Sequence, residues 1–250
     1  MNQAVTYGIH AVRVLLMRSP QRVRRLLLLS GRADGRLAEL RALAERARVP
    51  ITAADEPTLA KLADGGRHQG AVAEIAPLSG DPETRLEEAL EAAVGPPLLL
   101  VLDGVQDPHN LGACLRSADA AGVSAVIAPR DRAAGVTPVA RKVAAGAAET
   151  VPFIAVVNLA RTLRAFKERG IWLIGTDEAA DTSVFDADFT GPTAIVLGSE
   201  GEGLRRLTRE CCDQLVAIPM AGAVETLNVS VAAGVLLYEA VRQRRKRGHS

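Results

Sequence analysis

Short apolar runs alternate with longer amphipathic stretches through the second part of the chain. Six runs of four or five residues are apolar almost throughout, as expected for strands buried on both faces of a parallel sheet. These runs are residues 98–102, 125–128, 153–157, 171–175, 194–197 and 215–218. Helical stretches lie between most of them, at residues 111–121, 138–147, 159–169 and 229 to about 245. The alternation predicts an α/β domain with a mostly parallel sheet covered by helices.

The first part of the chain mixes the two patterns on a smaller scale. Helices are predicted at residues 9–17 and 36–48, and strands at residues 23–29 and 70–75, which indicates a small α/β sandwich. A stretch rich in proline and glycine follows, around a short acidic helical segment, and this composition is typical of a linker. The sequence therefore predicts a first domain over residues 1–77, a linker over 78–97 and a second domain over 98–250.

Charge is distributed unevenly, although the formal net charge of the chain is only +1. Residues 1–77 contain 12 basic and 7 acidic residues, whereas residues 78–97 contain 1 basic and 5 acidic residues. In residues 98–250 the 17 basic and 17 acidic residues balance, and five of the basic ones lie in 242–247. A polyanion would therefore bind the first domain and the end of the chain. The basic run equally suits a helix C-terminus, and the charge pattern leaves both interpretations open.

The composition argues against several classes of protein. With 48% hydrophobic and 24% charged residues the chain is typical of a globular protein, and no apolar run approaches the roughly 20 residues that span a bilayer. The first ten residues lack the apolar core of a signal peptide. The cysteines Cys114, Cys211 and Cys212 have neither zinc-ligand spacing nor the even count of a disulfide framework. We expect a cytoplasmic protein without a membrane segment or a metal site.

Unusual polar residues follow three of the predicted strands. Ligands of open α/β sheets bind outside the carboxyl ends of the strands, so three such segments predict one composite site. In the first segment Asn110 stands where a helix N-cap is expected, and Gly122 where the C-terminal glycine is expected. Arg116 lies one turn beyond Gly112 and Ala113, and these small residues predict open space for a substrate in front of the guanidinium. Taken alone, Asn110 is equally a simple cap and Arg116 half of a surface ion pair.

The second and third segments add a glycine-rich turn and a second pair of polar residues. Residues 198–204 contain three glycines, which let backbone approach a ligand closely, and Glu200 is a candidate functional carboxylate. The segment is neither a P-loop nor a dinucleotide fingerprint, and by itself it is also an ordinary turn. In the third segment Asn228 and Ser230 open the last helix, where both can act as caps.

At these three segments the chain resembles the SpoU (TrmH) class of SPOUT RNA ribose 2′-O-methyltransferases, and within it the bacterial type that modifies a guanosine of 23S rRNA. The residues that match the three motifs of this class are Asn110-Leu111-Gly112 through Arg116 for the first, residues 197–203 for the second, and Ile218-Pro219-Met220 with residues 227–230 for the third. Residues 7–12 and 68–70 also match that type, so the resemblance covers nearly the whole chain. Glu225 and Thr226 depart from it, since they stand where the type has two serines.

The resemblance implies a trefoil-knotted SPOUT domain and an RNA-binding first domain with the fold of ribosomal proteins L30e and L7Ae. It implies a homodimer that transfers a methyl group from S-adenosylmethionine to a ribose 2′-hydroxyl in the peptidyltransferase-centre loop of 23S rRNA, during ribosome maturation. By position, the cofactor-contacting residues are Gly198, Ile218 and Leu227. The residues around the reacting ribose, and so the catalytic candidates, are Asn110, Arg116, Glu200, Asn228 and Ser230.

The family resemblance gives Arg116 the role of base, although a guanidinium stays protonated in proteins. We therefore expect Arg116 to hold a flanking phosphate and stabilise the developing alkoxide, with Glu200 orienting either Arg116 or the ribose site. Two alternatives stay open. One is methylation of tRNA or of another rRNA nucleotide, because target choice lies in the first domain. The other is a catalytically silent RNA-binding protein, against which the intact set of polar residues argues.

Overall fold

Two separate β-sheets organise the chain in the computed structural model, which describes residues 5–31, 34–76 and 80–247. The first sheet has four strands in the order β1-β4-β2-β3, antiparallel except for the β2–β3 pair. Its elements are β1 (Val5–Tyr7), α1 (Ile9–Arg18), a 3₁₀ turn (Pro20–Arg22), β2 (Val23–Leu29), α2 (Gly35–Arg46), β3 (Ile51–Ala54), α3 (Glu56–Leu62) and β4 (Ala71–Ile75). The sequence pattern missed β1, β3 and α3, which are too short to show a clear period.

The second sheet has six strands, all parallel, in the order β10-β8-β9-β5-β6-β7. Its strands are β5 (Leu98–Asp103), β6 (Ala125–Pro129), β7 (Phe153–Val156), β8 (Trp172–Thr176), β9 (Thr193–Gly198) and β10 (Gln214–Val216). The helices are α4 (Pro82–Glu91), α5 (Pro108–Ala121), α6 (Pro138–Ala144), α7 (Ala147–Thr150), α8 (Leu159–Glu168), α9 (Arg206–Cys211) and α10 (Val229–Arg247). The parallel α/β sheet predicted from the apolar runs is confirmed.

Helices bury both faces of this sheet, which explains the continuous apolar runs. Leu100 and Leu102 of β5 belong to the core layer formed with α5 and α10. Leu99 and Val101 point to the opposite face and belong to the layer formed with α4 and α8. Successive side chains of a strand alternate between faces, so a central strand with two covered faces has few polar positions.

Helix α4 lies inside the segment whose composition predicts a linker, yet it packs on the second sheet. Leu86 and Ala89 are buried there, and Nη2 of Arg85 donates to the carbonyl oxygen of Phe153 at 2.8 Å. The connection is therefore a docked helix for much of its length. The predicted boundary between residues 77 and 78 lies outside the described residues.

Helix α5 begins earlier than the pattern predicts, and a different residue caps it. The carboxylate of Asp107 accepts a hydrogen bond from the backbone N–H of His109 at 2.9 Å, and Pro108 occupies the first helical position. The expectation that Asn110 caps this helix is therefore wrong. Gly122 ends the helix in the left-handed conformation, with φ of 72°, as predicted.

Candidate functional site

The three polar segments meet at the carboxyl end of the second sheet. Strands β5 and β9 are neighbours, and Asp103 at the end of β5 lies opposite Gly198 at the end of β9. Helix α10 packs against α5 and β9, which brings its first residues to the same edge. Three stretches of chain that are far apart in sequence therefore share one corner of the fold.

Glu200 joins these segments through its carboxylate. Its Oε1 accepts hydrogen bonds from Nδ2 of Asn228 at 2.6 Å and from Nδ2 of Asn110 at 3.1 Å. The same Nδ2 of Asn228 donates to Oδ1 of Asn110 at 3.0 Å, which closes a triangle. Oδ1 of Asn228 accepts from the backbone N–H and the hydroxyl of Ser230, at 2.9 and 2.6 Å. Four of the five catalytic candidates thus form one hydrogen-bonded set, which we call the amide–carboxylate cluster.

Arg116, the fifth candidate, lies on α5 with Asn110 but outside this cluster. Its side chain is exposed and makes no hydrogen bond or ion pair with any residue that the structure describes. Glu200 is engaged by the two amides, so no contact supports the expectation that it orients Arg116. The guanidinium is available to a ligand.

The open space predicted in front of Arg116 is not supplied by Gly112. Gly112 is buried, and a Cβ atom there would lie 2.5 Å from the carbonyl oxygen of Ala140 and 2.7 Å from Cβ of Val143. The small residue is needed for the close packing of α5 on α6. The interpretation of Gly112 as room for a substrate was therefore wrong.

The glycine-rich turn after β9 folds back on itself and presents Glu200. Ser199 and Gly203 exchange backbone hydrogen bonds at 3.1 and 3.0 Å, and a Cβ atom at Gly198 would overlap the backbone of Gly203. Gly201 and Gly203 have φ of 84° and 66°, in the left-handed region that favours glycine. The turn therefore needs these glycines, whatever binds beside it.

An ion pair between a buried carboxylate and an exposed arginine, which sequence reasoning missed, ties this turn to β5. The carboxylate of Asp103 is fully buried and accepts from the backbone N–H and from Nε of Arg205, at 3.0 and 2.6 Å. Arg205 directly follows the glycine-rich turn. The available signal was a single acidic residue immediately after a continuous apolar run, a position where an unpaired charge would be costly.

A cleft of about 490 Å³ opens beside the amide–carboxylate cluster. Gly198, Ile218 and Leu227, which were predicted to contact a cofactor, all line it. Glu200 lines it too, so the cleft and the cluster share a wall. The volume lies in the range of pockets that enclose small ligands.

Acidic side chains outnumber basic ones among the described residues of the cleft. Besides Glu200, its lining includes Asp177, Glu178, Glu202 and Glu225, with Arg209 as the basic member. Arg209 forms an ion pair with Asp177, so its charge is already compensated. An excess of negative charge in a concave site favours a cationic ligand.

Neither thiol nor metal chemistry is indicated by the residues around the site. Burial raises the pKa of the Cys114 thiol on α5 to about 12, so this group is protonated at neutral pH. Within residues 5–31, 34–76 and 80–247, no group of three or more His, Cys, Asp or Glu residues could hold a metal ion. The helices of the same ranges include none that is long and apolar enough to cross a membrane.

Two family models match the chain. The model of the SpoU rRNA Methylase family matches residues 97–238, and the model for RNA 2′-O ribose methyltransferase substrate binding matches residues 5–80. The SpoU rRNA Methylase model covers the second sheet with the amide–carboxylate cluster and the cleft, and the substrate-binding model covers the first sheet.

Full-length relatives agree with the family models. The 23S rRNA (guanosine-2′-O-)-methyltransferase RlmB of Pseudomonas putida is 55% identical, over 95% of this chain and 96% of the relative. The protein of the same name from Escherichia coli is 53% identical, over 95% and 98%. The crystal structure of the SpoU methyltransferase AviRb from Streptomyces viridochromogenes in complex with AdoMet has a TM-score of 0.82, with 29% identity over 98% and 91% of the two chains. On these grounds, the chain belongs to the SpoU rRNA methylase family.

Proposed function

We propose that this protein transfers a methyl group from S-adenosylmethionine to the ribose 2′-hydroxyl of a guanosine in 23S rRNA. The observation that carries the proposal is the amide–carboxylate cluster at the wall of a cleft, built from three segments of a methyltransferase family. The name shared by the relatives supports the target, because the similarity extends over both sheets. Methylation of this kind would be a step in ribosome maturation, in the cytoplasm.

The cleft has the properties that S-adenosylmethionine requires. This cofactor supplies a methyl group already activated by a positively charged sulfonium, and the acidic lining suits that charge. At Gly198 no side chain can be accommodated, so backbone forms this part of the wall. Ile218 and Leu227 contribute apolar surface. We assign Gly198, Ile218 and Leu227 to cofactor binding.

The polar residues have to align a ribose and make its hydroxyl a better nucleophile. Asn110 and Asn228 hold Glu200 in one orientation, and Ser230 holds Asn228, so the carboxylate charge is fixed at the edge of the cleft. Arg116, exposed and without a partner among the described residues, is free to hold a flanking phosphate and to stabilise the developing alkoxide.

The role of Arg116 as a donor, and not as a base, is tested by the pH–rate profile of Arg116→Lys. A lysine that accepts the proton gains activity as the pH rises and its ammonium deprotonates. We expect low activity at every pH instead, because a lysine cannot make the two parallel hydrogen bonds of a guanidinium. Recovery at high pH would return Arg116 to the role of base.

The first domain supplies basic surface for the RNA. Arg24, Arg41, Arg46, Arg48, Lys61 and Arg67 are exposed, and their side chains make no ion pair with other described residues. Five further basic residues lie in 242–247, but Arg242 pairs with Glu239, and Arg244 donates to the carbonyl oxygens of Pro96 and Gly191. The first domain is therefore the better candidate for the phosphate contacts.

Helix α10 supports the further proposal of a homodimer. Val231 and Tyr238 are about half exposed, at 51% and 53%, and half-buried Val235 lies between them on one face of the helix. This apolar stripe is available to a second copy of the chain. We also propose the trefoil knot that the family resemblance implies, in a chain that runs from the edge strand β10 to α10 packed on α5.

The direct test is methyl transfer from labelled S-adenosylmethionine to unmodified bacterial rRNA, followed by mapping of the modified nucleotide. We expect a single 2′-O-methylguanosine in 23S rRNA. Label in tRNA or at another rRNA nucleotide would support a different target within the same family. Cofactor binding without transfer to any RNA would support the silent RNA-binding alternative.

A further inference from the structure

The two sheets meet at a junction that is centred on one buried carboxylate. Helix α1 of the first part of the chain packs against α7, and a Cβ atom at Gly146, just before α7, would lie 3.1 Å from Cβ of Val14 on α1. Glu149 on α7 lies in this contact, and only 1% of its side chain is exposed. The junction is thus closely packed where the carboxylate is buried.

Glu149 receives donors from both sides of the junction. From the first part of the chain, the Thr6 hydroxyl donates to Oε1 at 2.7 Å, and Nη1 of Arg22 donates to Oε2 at 3.2 Å. From the second part, Nη1 of Arg141 on α6 donates to Oε1. The side chains of Arg22 and Arg141 are themselves only 16% and 17% exposed. Through these donors, the carboxylate on α7 connects β1 and the 3₁₀ turn of the first part of the chain with α6 of the second.

Such a cluster fixes the orientation of the two parts of the chain relative to each other more strongly than an apolar contact would. Hydrogen bonds to a buried charge tolerate little change in distance or angle, and a buried charge that loses its donors is costly. Nε of Arg22 is buried without a partner among the described residues, so this guanidinium is held chiefly through Glu149. Sliding of the first part of the chain along α7 would separate Thr6 and Arg22 from Glu149, which would keep Arg141 alone, and would leave the Arg22 guanidinium uncompensated.

The junction is also connected to the helix that carries the catalytic candidates. Arg141 lies on α6, and α6 packs against α5 at the close approach of Ala140 to Gly112. Gly112 lies between Asn110 and Arg116 on α5. The first domain is therefore attached to the same helix pair that positions Arg116, and not to a distant part of the second sheet.

We propose that Glu149 is a positioning residue, which locks the RNA-binding domain on α6 and α7 in the one orientation that presents a bound RNA to Arg116. This inference rests on the proposed function for its effect on RNA. The locked orientation itself is a property of the protein alone and is measured without RNA.

The test compares Glu149→Gln with a matched variant, Glu74→Gln. Glu74 is also a buried carboxylate, with a side chain 5% exposed, and it accepts from Nε and Nη2 of Arg25 at 3.0 and 2.6 Å. Both of these residues belong to the first sheet, so their contact does not cross the junction. The two variants remove a similar charge from a similar environment, and only one of them changes the junction.

Distances between the domains are measured by pulsed electron spin resonance, with labels at Glu45→Cys on α2 and Glu168→Cys on α8, which are exposed positions. With the labelled chain diluted in excess unlabelled chain, so that distances within one chain are measured, we expect a narrow distribution in the parent and in Glu74→Gln, and a broad one in Glu149→Gln. With rRNA as substrate, KM should rise about tenfold in Glu149→Gln, as expected for a lost charged hydrogen bond, while the Kd of S-adenosylmethionine stays constant.

A narrow, unchanged distribution in folded Glu149→Gln would overturn the inference, whatever its activity. Should Glu149→Gln fail to fold, Thr6→Val removes a single donor, and a broadened distribution is expected there as well. An unchanged distribution in folded Thr6→Val would then contradict the inference. If the parent methylates no rRNA, the proposed function fails, and the distance measurement still decides whether Glu149 locks the domains.

Discussion

Two carboxylates, Glu200 in the cleft and Glu149 at the junction, each connect segments that are distant in sequence, but with different donors. Glu200 is exposed and accepts from neutral amides of Asn110 and Asn228. Glu149 is buried and accepts from two arginines and a threonine. The difference is one of charge, because amides fix a carboxylate without neutralising it, whereas arginines do both.

This comparison indicates which cluster can act on a ligand. The charge of Glu200 remains available at the edge of the cleft, whereas that of Glu149 is balanced inside the protein. We therefore expect changes at the cleft to reduce activity with little loss of stability. Changes at the junction should reduce stability and, through the domain orientation, raise the KM for RNA.

The largest effect should come from a change that leaves both clusters intact. If a second copy completes the exposed cleft, Val235→Arg on the apolar stripe of α10 should give a folded monomer without methyl transfer, because α10 also carries Asn228 and Ser230 near its start. Sedimentation, circular dichroism and activity are measured together. A folded monomer with full activity would contradict the proposal that a second copy, bound through α10, completes the site.

Leu236→Asp, at the neighbouring position, serves as a contrast. Leu236 is fully buried in the core layer with α5, so a carboxylate there should unfold the domain. Loss of activity in this variant should follow the loss of circular dichroism, whereas in Val235→Arg the two should separate.

Arg116→Ala should lower kcat by about 10²–10³-fold, in the range found when a donor to a developing oxyanion is removed. The Kd of S-adenosylmethionine should change little, because Arg116 is not among the residues that line the cleft. Titration calorimetry and single-turnover assays measure the two quantities. A large loss of cofactor affinity with unchanged RNA binding would contradict this role and would assign Arg116 to the cofactor site.

Glu200→Gln tests whether the charge at the cleft matters apart from its geometry. Glutamine keeps an oxygen that accepts from Asn110 and Asn228, so the fold and thermal midpoint should hardly change. We expect kcat/KM to fall about 10- to 100-fold, the cost of one charged interaction. Activity equal to that of the parent would show that Glu200 only organises the turn.

The smallest effect concerns the pH dependence of stability that arises from two desolvated cysteine thiols, which are not paired with arginine. Burial raises the pKa of Cys114 and of Cys212 from 9.0 to about 12, with desolvation as the main cause. The folded state therefore favours the protonated thiols, so their contribution to the free energy of unfolding should be constant below pH 9 and fall as the pH rises from 9 towards 12. Ellman's reagent at pH 8 should react slowly with both thiols in the folded protein and rapidly after denaturation.

For the second sheet, local pattern was sufficient. Its six strands follow from apolar runs because a parallel sheet covered on both faces admits few polar positions, and Gly122 marks the end of α5 through its left-handed backbone. The three polar segments were also visible, since polar residues directly after buried strands are unusual. The motifs in these segments carried the family resemblance, which the family model and the relatives confirm.

What the sequence by itself determined is therefore the α/β class, the strands of the parallel sheet and the three polar segments that meet at its carboxyl end. Only the tertiary structure decided what those residues contact. It gave Glu200 two amides in place of Arg116, gave the cap of α5 to Asp107, used Gly112 for helix packing, and placed Glu149 under three donors. The reason is physical: periodicity records which face of an element is buried, whereas a hydrogen bond between distant segments depends on distances and angles that only the folded chain sets.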